Sequence, residues 1–342
     1  MITAFCLLVL ALVPASPVAA QALPTTHFAA ASTPPLPQPS GIGIRLLDVP
    51  AATQQDPRAR SYIVDRLAPG TGIQRRIQVQ NNSTAPQSVR IYAGAARIQE
   101  GSFIGDNDPA VNELTTWTSV DRPQVELLPG KSADVLVTID VPADASEAEQ
   151  YAAVWAEVRS APAEGTNVVQ ASRVGIRIYL SVGPGNGAPA DFRITSLTAA
   201  RDAHGNPQVS AVVTNTGGRA LDITGELTLS KGPGGISAGP FGAQKALTLV
   251  PGSDGTVVTT LDPALPNGPW NAQLHLKSGL VEHEAAASIT FPDAGQGETV
   301  EPVREAGFPW IALGTGVAGL LIAAAALWWW LRRRNTAHTQ AG

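Results

Sequence analysis

The residues able to do chemistry are few and scattered. Five histidines stand at positions 27, 204, 275, 283 and 338, and Cys6 is the single cysteine. HExxH, GxSxG, SxxK and a phosphate-cradling glycine loop are all missing from the sequence, so no pattern pairs a nucleophile with a base. His204 lies in Asp202-Ala203-His204-Gly205-Asn206, which reads as a hairpin turn with an exposed histidine. His275 and His283 flank Ser278-Gly279. A two-residue loop there sets Lys277 against Leu280, Leu276 against Val281 and His275 against Glu282, an exposed cross-strand His–Glu pair rather than a metal site. Asp106-Asn107-Asp108 gathers oxygen ligands as a calcium loop does. It lacks the twelve-residue spacing and the distal glutamate, and reads as an acidic loop. The chain is expected to be no enzyme and to hold no metal or cofactor.

Aromatic residues are the more informative chemistry. In QYAAVWAEVRS, alternation puts Val154, Ala156 and Val158 on one face and Tyr151, Ala153, Trp155 and Glu157 on the other. With the valines in a core, Tyr151 and Trp155 stand outward beside a carboxylate, a strip on which the apolar face of a sugar can stack. Trp117 and Phe103 lie on the long segment between strands and are candidates to fold over that sheet, so Tyr151, Trp155 and Trp117 form the candidate ligand site. The competing reading makes Trp155 a buried sandwich tryptophan and Tyr151 a corner residue. Trp270 reads as core.

Short alternating runs must position these residues. Ile73, Ile77 and Val79 share a face, with Gln74, Arg76, Gln78 and Gln80 opposite and Arg75 breaking the pattern. Val135, Val137, Ile139 and Val141 share another, as do Val174, Ile176, Ile178 and Leu180. Period-two alternation buries one side of each strand, and many such strands without intervening helices predict an all-β fold. Pro184-Gly185-Asn186-Gly187 divides the chain, and the two halves repeat one order. Asn81-Asn82-Ser83 and Asn215-Thr216-Gly217 each end a strand, and Leu128-Pro129-Gly130 and Val250-Pro251-Gly252 each precede another. That order is common to bacterial Ig-like modules and predicts two tandem Ig-like β-sandwich domains, over residues 42–183 and 190–292. Gly232 to Gly242 reads as a flexible loop within the second, and 293–307 as an acidic stalk.

The ends of the chain set its expected place. Residues 1–20 read as a cleaved secretory signal peptide, which would remove Cys6, and 21–41 as a Pro-rich linker. Residues 308–331 form an uncharged apolar run long enough to cross a hydrocarbon core of about 30 Å as a transmembrane helix. Arg332, Arg333 and Arg334 mark its cytoplasmic side, ahead of a tail ending at residue 342. The expectation is a single-pass type I membrane protein with its ectodomain outside the cell. With 23 basic residues against 28 acidic ones and a formal charge of −5, the composition disfavours nucleic acid as a partner.

The segments IQVQNNSTAPQSVRIYAGAA and VELLPGKSADVLVTIDVPADASEAEQYAAVWAEV resemble the peptidoglycan-binding domain of WxL-interacting proteins, over roughly Ile42 to Val182. The second domain departs from that family's partner-binding domain, and Tyr151-Ala152-Ala153-Val154-Trp155 departs from its glycine-rich aromatic strand. The resemblance implies a wall-binding surface protein whose partner is peptidoglycan. The alternative is a docking or assembly module for another secreted surface protein, working through an exposed sheet edge.

Overall fold

The computed structural model describes residues 41–107, 110–159 and 169–302. The predicted signal peptide, transmembrane helix and tail, and all but one residue of the linker, lie outside them. No helix among the described residues is long and apolar enough to cross a membrane.

The alternating runs form two consecutive β-sandwiches. The first contains β1 (Ile42–Leu46), β2 (Ile63–Leu67), β3 (Gly72–Asn81), β4 (Gln87–Gln99), β5 (Ser102–Gly105), β6 (Thr118–Val120), β7 (Gln124–Leu127), β8 (Ser132–Asp140), β9 (Glu149–Arg159) and β10 (Ala171–Val182). Two short helices, α1 (Pro57–Ser61) and α2 (Glu113–Trp117), lie in its connections. One sheet runs β1-β3-β8-β6; the other runs β2-β10-β9-β4-β5, with β7 also on β4. The chain thus enters in one sheet as β1 and crosses to the other as β2. Pro50 and Pro57 break the strand between them, and Asp56 caps α1 by accepting from the Arg58 N–H at 2.8 Å. Ile77, Val79, Val135, Val137, Ile139, Val154, Ala156, Ile178 and Leu180 close the core between the sheets, as alternation predicts.

Arg75, the residue that breaks the pattern, points inward. It donates to both carboxylate oxygens of Asp65 at 2.9 Å, joining β3 of one sheet to β2 of the other. Burial pushes the Asp65 carboxyl above its ordinary range despite that partner.

The second sandwich contains β11 (Phe192–Arg201), β12 (Pro207–Asn215), β13 (Leu221–Ser230), β14 (Ala238–Gly242), β15 (Leu247–Leu249), β16 (Asp254–Thr260), β17 (Trp270–Ser278), β18 (Val281–Ile289) and β19 (Gly295–Val300). Its sheets run β16-β12-β11-β19 and β14-β13-β17-β18, with β15 also on β13. Trp270 is fully buried and its indole N–H donates to the Pro266 carbonyl at 3.0 Å, the core role expected of it.

Three expectations need correction. The glycine-rich stretch from Gly232 to Gly242 is not merely a loop: its end forms β14, which pairs with β13. The predicted stalk supplies β19, because β11 has a free side on which Val300 pairs with Leu197, Thr299 with Thr198 and Gln296 with Ala200. The hairpin after β17 turns on Gly279-Leu280 rather than Ser278-Gly279. Gly279 takes the left-handed conformation (φ 63°), and Ser278 then pairs with Val281 and His275 with Glu284. His275 still reaches Glu282, diagonally, at 3.3 Å.

The repeat read in the sequence is a repeated asparagine corner. The Asn81 side chain donates to Ala85 and Leu127 carbonyls at 2.8 and 2.9 Å and accepts from the Ser83 N–H at 2.9 Å. Asn215 donates to Arg219 and Leu249 carbonyls at 2.9 and 3.0 Å and accepts from the Gly217 N–H at 3.0 Å. In each case the backbone carbonyl accepts from the Pro-Gly turn, at Gly130 or Gly252. Both asparagines are buried, so each fixes a strand end, a turn and a neighbouring strand through groups that water does not reach. Asn81→Ala and Asn215→Ala should each lower stability by about 2 to 4 kcal/mol, read by denaturant unfolding, because buried carbonyls lose their donors.

Candidate functional site: an outer sheet face and its open edge

Strands β10, β9 and β4 lie side by side, with Trp155 directly between Gly175 and Tyr92, and Tyr151 beside Tyr179. Since Val154 and Ala156 are in the core, Tyr151 and Trp155 project from the outer face, as alternation requires. That face is partly covered, and both side chains are half-buried.

Trp155 lies in a cradle of Gly94, Gly105 and Gly175. A Cβ at any of the three would sit within 3.0 Å of the indole, so only glycine lets the ring lie against the backbone. The Arg173 guanidinium stacks over the ring at 4.2 Å from its centroid and donates to the Asp106 carbonyl at 3.0 Å. The indole N–H is shielded from solvent and has no hydrogen-bond partner among the described residues. Glu157, next on the face, is buried and accepts from the Tyr92 hydroxyl at 2.7 Å and from Arg159 at 2.5 Å.

Phe103 does fold over this sheet, on the β4–β5 hairpin. Its ring centroid is 5.3 Å from that of Tyr179, and the Arg177 guanidinium lies 4.9 Å from it. Trp117 does not join them. It ends α2, whose N-cap Asn112 accepts from the Thr115 N–H at 3.0 Å, and packs against the first core. The Tyr151 hydroxyl donates to Glu149 at 2.6 Å, and burial drives its pKa up. Of the three candidate ligand residues, the structure brings Tyr151 and Trp155 to one face and leaves Trp117 elsewhere. In the aspartate loop, Asp106 forms an ion pair with Arg97, while Asp108 lies outside the described residues. Among the described residues no cluster of His, Cys, Asp and Glu is arranged to hold a metal.

The far end of the face meets the second sandwich. Asp222 of β13 accepts from Arg58 at 3.0 Å through one oxygen, and through the other from Arg177 at 3.2 Å, Tyr179 at 2.9 Å and Thr248 at 2.8 Å. Burial drives the Tyr179 hydroxyl pKa upward, with the Asp222 charge adding to it, so this phenol stays a donor. Glu149 accepts the Ala220 N–H at 2.8 Å, and the Gly101 carbonyl accepts from the Thr248 N–H at 2.9 Å. Alternation cannot reveal this junction, since its partners are up to 164 positions apart in sequence.

A second feature missed from sequence is an open edge. β2 pairs with β10 only over Ile178–Val182, so residues 171–177 have no strand partner on that side among the described residues. The Val182 N–H bonds Ala148 on the β9 side, and the Gly183 N–H bonds Leu67 on the β2 side. Backbone groups alternate along a strand, so those of Arg173 and Gly175 point into the free edge. Val174 of β10 and Ile44 and Leu46 of β1 are half-buried and pack against the first core, and β1 lies close to β10. The signal was present in the sequence: Gly175 interrupts an otherwise bulky alternating run, and an isolated strand glycine marks close approach by another group.

Neither a family model nor a curated protein matches the chain. Among solved structures, it is similar to a chain in the Salmonella enterica SafA pilin–SafB chaperone complex, at TM-score 0.38 and 12% identity, over 72% of this chain and 96% of that one. It is similar to the E. coli chaperone DraB at TM-score 0.35 and 12% identity, over 67% and 95% of the two chains. Similarity to the Pseudomonas aeruginosa CupB2 chaperone has TM-score 0.34 and 10% identity, over 67% of this chain and 97% of that one.

The packing of this face makes its stability sensitive to two side chains. Trp155→Ala empties the glycine cradle and should cost about 3 to 5 kcal/mol of stability, seen as a lower melting temperature. Asp222→Ala leaves the buried Arg58 and the half-buried Arg177 without their carboxylate and should cost about 3 to 5 kcal/mol, whereas the double variant Arg58→Met with Asp222→Ala should recover part of that loss. Parallel thermal melts of the single and double variants check the coupling.

Proposed function

We propose that this chain is a non-enzymatic docking or assembly module, which holds an extended segment of another secreted surface protein against the free edge of β10. The observation that carries the reading is the register: β2 covers the end of β10 and, among the described residues, leaves the backbone groups of Arg173 and Gly175 facing outward on either side of half-buried Val174. An added strand would satisfy those donors and acceptors, and its alternate side chains would cover Ile44, Leu46 and Val174. The apolar run at residues 308–331 and the arginines behind it support a tether that holds the module at the outer surface of the membrane.

Wall binding through Tyr151 and Trp155 is the competing reading, and it has less support. Trp155 is walled in by three glycines and Arg173, and Tyr151 is engaged with Glu149. Stacking on a sugar needs an open aromatic face.

Hydrogen exchange on the full chain, alone and with secreted surface proteins from the same cells, tests the docking reading. The Arg173 and Gly175 amides should exchange freely alone and become protected in the complex. Arg173→Pro removes an outward N–H without breaking the ladder to β9, and should abolish binding, while Arg173→Ala, which keeps that N–H, should weaken it far less. A complex that forms without protection at these amides, or one indifferent to proline, overturns the reading. Pelleting of the chain with purified sacculi, lost in Trp155→Ala at unchanged melting temperature, would favour the wall instead.

A further inference from the structure

We infer that the segment docking on β10 carries a carboxylate side chain, Asp or Glu, at the position facing Gly175, with apolar residues immediately before and after it. This rests on the strand-addition reading above and specifies its partner.

The geometry of the edge sets the pattern. Gly175 belongs to the outer-face set of β10, so the residue paired with it on an added strand projects on the outer face as well. Gly175 has no side chain to occupy that space, and the benzo edge of Trp155 lies over it. Arg173 and Arg177 stand two residues to either side on the same face, so the incoming side chain arrives between two arginine positions, the Arg173 guanidinium resting over Trp155 and that of Arg177 over Tyr62 and Phe103.

Neither arginine is fully neutralised by the contacts around it. Arg173 is half-buried, stacks on Trp155 and donates to the carbonyls of Gly105 and Asp106; among the described residues it makes no ion pair. The carboxylate of Asp106, close by, is already paired with Arg97. Arg177 shares the single carboxylate of Asp222 with Arg58. A carboxylate opposite Gly175 would therefore add charge-assisted hydrogen bonds at a place of positive potential, and a lysine or arginine there would be repelled. The residues flanking it point the other way, onto Ile44, Leu46 and Val174, where only apolar side chains bury without an unmet polar group.

The test is selection of a displayed library of random ten-residue segments on the full chain in detergent, in parallel with Arg173→Gln and Arg173→Pro. Glutamine keeps an amide donor for the loop carbonyls and removes the charge; melting temperatures of both variants establish that they fold. On the unmodified chain, the selected segments should alternate apolar residues, with Asp or Glu enriched about threefold or more at one central outward position. On Arg173→Gln the apolar alternation should persist and the acidic enrichment should fall away. Alternating segments with no acidic preference, or an acidic preference that survives Arg173→Gln, overturn the carboxylate assignment and leave strand addition standing. Segments without alternation, or a selection unchanged by Arg173→Pro, overturn strand addition itself.

Discussion

Asp222 is the contact on which the arrangement of the two sandwiches turns. A buried carboxylate is costly unless its charge is met, and here two arginines, a tyrosine and a threonine meet it. Three of those donors belong to the first sandwich and sit at the end of its outer face. Docking β13 against that face therefore fixes Arg58 over the Tyr179 ring and Arg177 between Tyr62 and Phe103, so the junction also organises the aromatic surface beside it. An apolar junction of the same size would hold the domains together with less demand on their relative register, because dispersion has no direction while hydrogen bonds do.

The outer face illustrates how side-chain direction and exposure separate. Alternation alone places Tyr151 and Trp155 opposite the valines, and the structure agrees. Exposure depends on what lies above them, and here the β4–β5 hairpin returns over the sheet with Phe103 and Gly105. The same fold that points an aromatic away from one core thereby builds a second, smaller apolar layer around it. Glycines on three different strands make the indole fit, which explains why Gly94, Gly105 and Gly175 fall in strands rather than in turns.

Much of the architecture is legible in the sequence. The period-two runs mark the strands, and Asn81 and Asn215 with their Pro-Gly turns mark the repeat, since a buried asparagine corner needs those residue types locally. The turn at Gly279 lies one residue from its expected place because two adjacent dipeptides both suit a turn, and the left-handed glycine settles which. β19 is hidden in an acidic stretch with no alternating apolar pattern; its partner, the free side of β11, is known only once the sheet is assembled. The Asp222 cluster is invisible for the same reason. Its members look like ordinary surface charges until the second sandwich is placed against the first.

The open edge of β10 follows from how the first strand is divided. β1 completes one sheet and β2 the other, and the chain between them cannot pair with both. Among the described residues, one half of β10 is left uncovered as a direct consequence. An uncovered edge is a liability for aggregation, which proteins limit with short edges, bulges or charge. Here the exposed half bears Arg173 and Arg177 on its outer side, so a second copy of the same edge would bring like charges together and pair poorly. Such an edge is poorly matched to itself, and under strand addition its selectivity would come from the arginines rather than from the hydrogen-bond ladder, which any backbone can supply.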